Sequence, residues 1–221
     1  LAMATTPEQK ENIRDVVLTH AHLDHIAGLP LFVDDLFATL KQPVCIHASA
    51  EVAEILERDI FNWDIYPRFS ELQNQFGEVM AYDIFAPGEA FQAAHLSLKA
   101  IKVNHKVPSV GFVIADEKSK IAVTGDTAEM QHFWNFVNAE KKLDALLIEC
   151  AFPDELNDLA RNSHHLTPRC LRHELEKFAH QECPIFVINL KPMYRQKVIA
   201  EINDLKIPNL EILEVGKVYE W

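Results

Sequence analysis

The chain has 221 residues, enough for one domain with a substantial buried core. Hydrophobic residues make up 48%, an ordinary globular share, while 33 acidic against 21 basic side chains leave a formal net charge of −12. That excess argues against broad electrostatic binding to nucleic acid or to an anionic membrane, and no apolar stretch is long enough to span a bilayer.

Residues 1–12 are polar and lack the charged-then-apolar pattern of a signal peptide. The first apolar run, Val16–Leu18, reads as a buried strand. Further strand-like runs are Val44–His47, Leu96–Val103, Gly111–Ala115, Ile121–Thr124, Ala145–Ile148, Ile185–Ile188 and Ile212–Val215. Helical spacing appears at Val52, Ile55, Leu56 and Ile60, and again at Leu171, Leu175, Phe178 and Ala179. Thr167 suits the N-cap of that second helix, and Pro168 the position after it, where a missing N–H costs nothing. Tyr194–Leu205 also reads as helix, ended by Pro208. No repeat, low-complexity tract or linker interrupts the chain, so residues 1–221 are expected to form a single mixed α/β domain. Its continuously apolar strands imply sheets covered by helices. Cys45, Cys150, Cys170 and Cys183 have no ligand spacing such as C-x-x-C and are expected as reduced, packed thiols.

The most informative segment is His20-Ala21-His22-Leu23-Asp24-His25, on the loop leaving the first strand. Three imidazoles and a carboxylate within six residues suit zinc, iron or manganese, and such a site can hold more than one ion. Other candidate ligands also sit at strand ends. His105 follows the run ending at Val103, Asp126 follows Ile121–Thr124, and Asn189 follows Ile185–Ile188. Gly125 lets the chain turn tightly and bring Asp126 close. Strand ends along one sheet edge can converge on a single site.

With a later His105 and Gly125-Asp126-Thr127, this motif resembles the metallo-β-lactamase superfamily of metallohydrolases. The resemblance implies a four-layer αββα sandwich with a dinuclear site at one edge. His20, His22 and His105 would hold one metal, Asp24 and His25 would serve the second, and Asp126 would bridge them. Upstream strands would then be expected, so the chain is read as lacking the N-terminal strands of that fold. Four segments are similar to class II cyclic-nucleotide phosphodiesterases: residues 60–67 (IFNWDIYP), 103–111 (VNHKVPSVG), 148–153 (IECAFP) and 163–168 (SHHLTP). They imply hydrolysis of a 3′,5′-cyclic nucleotide such as cyclic AMP or cyclic GMP to the 5′-nucleotide.

A phosphodiester is anionic and resists hydroxide. Two divalent ions roughly 3.5–4 Å apart, with zinc favoured over manganese or iron, would supply a bridging hydroxide at neutral pH and neutralise charge developing on phosphorus. The leaving 3′-oxygen then needs a proton, and His165 is the candidate general acid, a role the related phosphodiesterases imply. His164 is the alternative, read more readily as a solvated neighbour. Asp24 could also orient the nucleophile while ligating. Lys191 could touch phosphate, and Phe61, Trp63 and Tyr66 could cover a purine, although an aromatic stripe more often belongs to a core.

One departure stands out. The family pattern has a histidine before Leu-Lys-Pro, where this chain reads Asn189-Leu190-Lys191-Pro192. An amide oxygen is a weaker donor to zinc than imidazole, so the second metal is expected to bind more loosely or to be more oxygen-loving. Rival readings are an RNA-processing phosphodiesterase of the same fold, disfavoured by the net charge, and a catalytically weak metal- and nucleotide-binding protein. The expected partner is a small-molecule cyclic nucleotide, with no nucleic acid and no membrane. A homodimer is an open option. A cytoplasmic location is favoured, with the periplasm an option should an N-terminal segment be missing.

Overall fold

The computed structural model describes residues 5–221. The chain falls into two compact units, Leu1–Glu89 and Ala90–Trp221, each with its own hydrophobic core.

In the first unit, α1 (Pro7–Asn12) begins with a capping box: the Thr6 hydroxyl accepts from the Gln9 N–H while the Gln9 side chain accepts from the Thr6 N–H. Then come β1 (Asp15–Val17), α2 (Leu23–Ile26), α3 (Gly28–Leu36), β2 (Val44–Ala48) and α4 (Ala50–Ile55). Next are the short strands β3 (Gln73–Asn74) and β4 (Gly77–Glu78), and finally β5 (Met80–Ile84). The sheet is parallel in the order β1-β2-β5. Val44, Ile46 and Ala48 alternate along β2 into the core, where they meet Phe32, Val33, Val52 and Leu56. The expected helical spacing therefore holds, but α4 widens into a π-helical turn at Leu56–Ile60. The helix α3 was not legible because Gly28 and Pro30 resemble breakers. Both fall in the first turn, where proline's missing N–H has no intrahelical partner to lose.

The second unit holds β6 (Ala90–Ala93), β7 (Leu96–Lys102), β8 (Val110–Ala115), β9 (Lys120–Val123), α5 (His132–Val137) and β10 (Ala145–Glu149). These are followed by α6 (Asn157–Ser163), α7 (Pro168–Leu175), β11 (Ile185–Ile188), α8 (Arg195–Asp204) and β12 (Leu210–Ile212). Its seven strands run in the order β12-β11-β10-β9-β8-β7-β6. The β6–β9 part is antiparallel and the β9–β12 part parallel. A Cβ at Gly111 would lie 2.6 Å from the Val123 carbonyl oxygen and 2.8 Å from that of Thr124, so only glycine fits between β8 and the end of β9. Thr167 caps α7 by accepting from the Cys170 N–H, with Pro168 next, as the sequence suggests.

The last strand is a correction. It spans Leu210–Ile212 rather than Ile212–Val215. Asn209 takes a positive φ of 58° and its carbonyl accepts from the Ile185 N–H, so pairing with β11 starts at once. All four cysteines are free thiols. Among the described residues, no helix is long and apolar enough to cross a membrane.

In the parallel half, β9, β10 and β11 point their C-terminal ends toward one edge. Ligands of open α/β sheets bind beyond such ends. The segments leaving them are Thr124-Gly125-Asp126, Cys150-Ala151-Phe152 and Asn189-Leu190-Lys191.

Candidate metal centre

In the first unit the histidine motif begins three residues beyond the end of β1. Thr19 Oγ1 lies 3.0 Å from His20 Nδ1, which turns His20 Nε2 toward His22 Nδ1 at 3.1 Å. Two ring nitrogens this close suit neighbouring donors to one ion, since metal–nitrogen bonds near 2.0–2.1 Å place tetrahedral ligands about that far apart. The His25 ring stands 4.1 Å, centroid to centroid, from that of His20. His20 is fully buried, whereas Asp24 and His25 are exposed on the single turn of α2.

In the second unit, His105, Asp126 and His165 bring donor atoms within 4.8 Å of one another. Asp126 is buried, held behind the tight turn at Gly125, whose φ is 61°. The His105 Nδ1–H donates to the His164 carbonyl at 2.9 Å, leaving Nε2 as the nitrogen with a lone pair for a metal. His164 thus acts through its backbone: it ends α6 in the left-handed conformation, φ 56°, and aims its carbonyl at His105. Its own ring contacts Asn104 Oδ1 at 3.0 Å.

His165 is 8% exposed. Its Nδ1–H donates to Glu149 Oε1 at 2.7 Å, and its Nε2 makes no hydrogen bond to any described residue. Glu149 lies at the very end of β10 and is fully buried. Its Oε1 also accepts from the Thr127 N–H at 2.8 Å and its Oε2 from the Leu166 N–H at 3.3 Å. Burial pushes the Glu149 carboxyl above its ordinary range, while His165 and the Thr127 N–H pull it back. One carboxylate thereby ties the Asp126 turn to the His165 turn. The sequence reading passed over Glu149 as a role-bearing residue. Its signal was a carboxylate closing the apolar run Ala145–Ile148, where a buried charge needs a purpose.

Asn189 leaves β11 at φ 57°, a conformation asparagine tolerates better than most residues. Its Nδ2–H donates to Asp126 Oδ1 at 2.7 Å, so it does stand beside a predicted ligand. Lys191 follows two residues later, half-buried, its N–H donating to the Ala151 carbonyl. The aromatic trio divides. Phe61 is core, Tyr66 donates its hydroxyl to Asp34 and packs against Phe69, and only Trp63 presents an exposed ring.

A domain family described as the β-lactamase superfamily domain matches residues 2–182. The chain belongs to the metallo-β-lactamase superfamily. A probable 3′,5′-cyclic-nucleotide phosphodiesterase of Yersinia pestis is 26% identical over 214 residues, covering 85% of this chain and 60% of that protein. A nuclear ribonuclease Z of Triticum aestivum is 33% identical over 105 residues, covering 47% of this chain and 56% of that protein. The crystal structure of unliganded yeast PDE1 superposes with a TM-score of 0.77 at 21% identity, over 95% of this chain and 70% of the other. The chain therefore spans about three fifths of the length of each of these two curated relatives. The expected metallo-β-lactamase fold is correct, and the described residues include His and Asp groups whose donor atoms lie close enough together to hold a metal ion.

Proposed function

We propose that this chain carries the site of a metal-dependent phosphodiesterase that hydrolyses 3′,5′-cyclic nucleotides to 5′-nucleotides. The observation that carries the reading is the His165–Glu149 pair beside Asp126. Of the two bonds broken and made at phosphorus, the one to the ribose 3′-oxygen expels an alkoxide, and an alkoxide needs a proton. A histidine with one nitrogen fixed by a buried carboxylate and the other turned to the ligand side can deliver it. A thioester hydrolase, whose thiolate leaves without a proton, has less need of such a donor.

The residues present fit divalent metal. Paired imidazole nitrogens at His20 and His22, and the His105–Asp126 cluster, are the borderline-soft nitrogen and hard oxygen donors that zinc accepts. Following the family pattern, His20, His22 and His105 would hold one ion, Asp24 and His25 the other, with Asp126 shared. Bound metal supplies a nucleophile at neutral pH and offsets negative charge on the phosphoryl group. Asp24 would orient the attacking water and Lys191 would steady a phosphate oxygen. Asn189 gives Nδ2 to Asp126 and would offer its amide oxygen to the second ion. An amide oxygen is a weaker donor to zinc than imidazole, so the second ion would bind more loosely than its partner. A small-molecule substrate completes the reading.

The alternative is an RNA phosphodiester, favoured by the wheat relative's name and opposed by a net charge of −12. Purified protein loaded with zinc or manganese is assayed on cyclic AMP, cyclic GMP and a precursor transfer RNA, with a chelator control. Chelator-sensitive release of 5′-nucleotide supports the proposal. Cleavage of RNA alone would replace it with the alternative, and no turnover of any phosphodiester by folded, metal-loaded protein would leave a binding protein.

A further inference from the structure

A second cluster of metal-ligating side chains lies on the three-stranded sheet of the first unit, outside the motif that defines the family. Cys45 and His47 are two residues apart on β2 and so project to the same face. That is the face opposite Val44, Ile46 and Ala48, which fill the core. Parallel pairing sets Asp15 of β1 beside Cys45, and Asp83 of β5 beside His47. Donor atoms of Asp15, Cys45 and His47 all lie within 4.8 Å of one another. His47 Nε2 is 2.7 Å from Asp15 Oδ1, and its Nδ1 is 3.0 Å from Asp83 Oδ2. His47 is 2% exposed, while the Asp83 side chain is about half exposed, so the cluster is anchored at its centre and open at its rim.

We propose that Asp15, Cys45 and His47 form a mononuclear site for a zinc-type transition metal, separate from the histidine motif. The ion would take His47 Nε2, Cys45 Sγ and a carboxylate oxygen of Asp15. Thiolate, imidazole and carboxylate together are a zinc or cobalt donor set. Asp83 would keep its hydrogen bond to the His47 Nδ1–H, the carboxylate–histidine–metal arrangement that fixes the tautomer of a ligating imidazole. A fourth position would go to water, as in three-ligand sites.

The balance is simple. One divalent cation enters. The Cys45 thiol proton leaves to solvent, with the Nε2 proton of any protonated His47, and no redox partner is needed. Charge favours the exchange. Burial, then Asp83 and Asp15, push the Cys45 thiol above its ordinary range, and a cation between the same groups reverses that opposition.

The site is distinguishable because the histidine motif and its strand-end ligands contain no thiolate. Metal-free protein is titrated with cobalt(II), and the near-ultraviolet cobalt–thiolate charge-transfer band is followed together with bound-metal stoichiometry. The band is expected to saturate at one cobalt per chain, to disappear in Cys45→Ser with loss of one bound equivalent, and to persist in Cys170→Ser. Asp83→Asn is expected to weaken cobalt at this site about 10–100-fold. Zinc should also slow alkylation of Cys45 in the unmutated chain, which gives a readout should Cys45→Ser fold poorly. Folded protein that binds cobalt with no thiolate band, or a band that survives Cys45→Ser, overturns the proposal and leaves the cluster as an ion-paired clasp across three strands.

Discussion

His165 and His47 are both buried histidines at carboxylates, and the contrast between them separates two uses of one side chain. His165 spends a single nitrogen, on Glu149, and keeps Nε2 for something else. His47 spends both, on Asp15 and Asp83. The carboxylates differ in the same sense. Glu149 is fully buried and has its oxygens filled by backbone N–H groups, so it cannot move without orphaning them. Asp83 is half exposed and can exchange its partner for water. A proton donor needs a fixed support and one open nitrogen. A clasp needs neither, and as a metal ligand His47 would have to exchange the Asp15 contact at Nε2 for the ion.

The largest effect is expected at His165→Ala, which should lower turnover of a cyclic nucleotide about 10²–10⁴-fold, with some loss of stability as well because the buried Glu149 carboxylate loses its side-chain partner. If turnover survives, His165 is no different in kind from His47. Glu149→Gln comes next. It keeps the shape but no longer fixes the imidazole, and should cost about 10–100-fold in kcat with KM little altered. Its isolated effect is readable from a kcat-against-KM comparison, and a change confined to KM would place Glu149 in substrate binding instead. His47→Ala should act on stability, by about 1–3 kcal/mol in urea unfolding, because two charged hydrogen bonds are lost from a buried ring. Gly111→Ala should cost a similar 1–3 kcal/mol, since the new methyl meets main-chain oxygens and Phe133, which cannot swing aside cheaply. An unchanged midpoint there would mean that β8 and β9 give way more easily than their register implies.

The smallest effect concerns a thiol. Burial, with Asp144 adding, pushes Cys183 up to about 11. The thiolate is the reactive form. Its folded value exceeds the ordinary thiol value of 9.0, so between these limits the unfolded chain has lost a proton that the native chain keeps. Cys183 therefore opposes folding as pH rises through 9 toward 11 and is neutral below. Iodoacetamide labelling of native Cys183 should rise only as pH approaches 11, with denatured protein labelling about two units earlier. Native labelling at pH 9 as fast as in denatured protein would contradict the burial assigned to it.

Much of the site was legible because its chemistry is concentrated in sequence. His20, His22, Asp24 and His25 fall within six residues shortly after β1, and His105, Asp126 and Asn189 each follow an apolar run that is a strand. Asn189 was noticed as a departure, and its contact with Asp126 needed coordinates. Glu149 was less legible because its importance lies in what it accepts: one side-chain N–H and two backbone N–H groups from two segments distant in sequence. The Asp15–Cys45–His47–Asp83 cluster was invisible for the same reason, being scattered over three strands and assembled only by parallel register. In the fold, β5 was missed because Asp83 interrupts its apolar pattern, although Met80 is buried and Tyr82 packs against the core. The end of β12 was misplaced because Val215 looks like strand and is in fact exposed.

The most direct test of the central claim varies the leaving group. His165→Ala and the unmutated chain are compared on cyclic AMP, which expels an alkoxide, and on bis(p-nitrophenyl) phosphate, whose phenolate leaves without a proton. A large loss on cyclic AMP with little or none on the nitrophenyl ester is the predicted result, because only the first reaction needs the Nε2 proton. Equal losses on both would contradict it, and would make His165 a support for the metal centre rather than the acid.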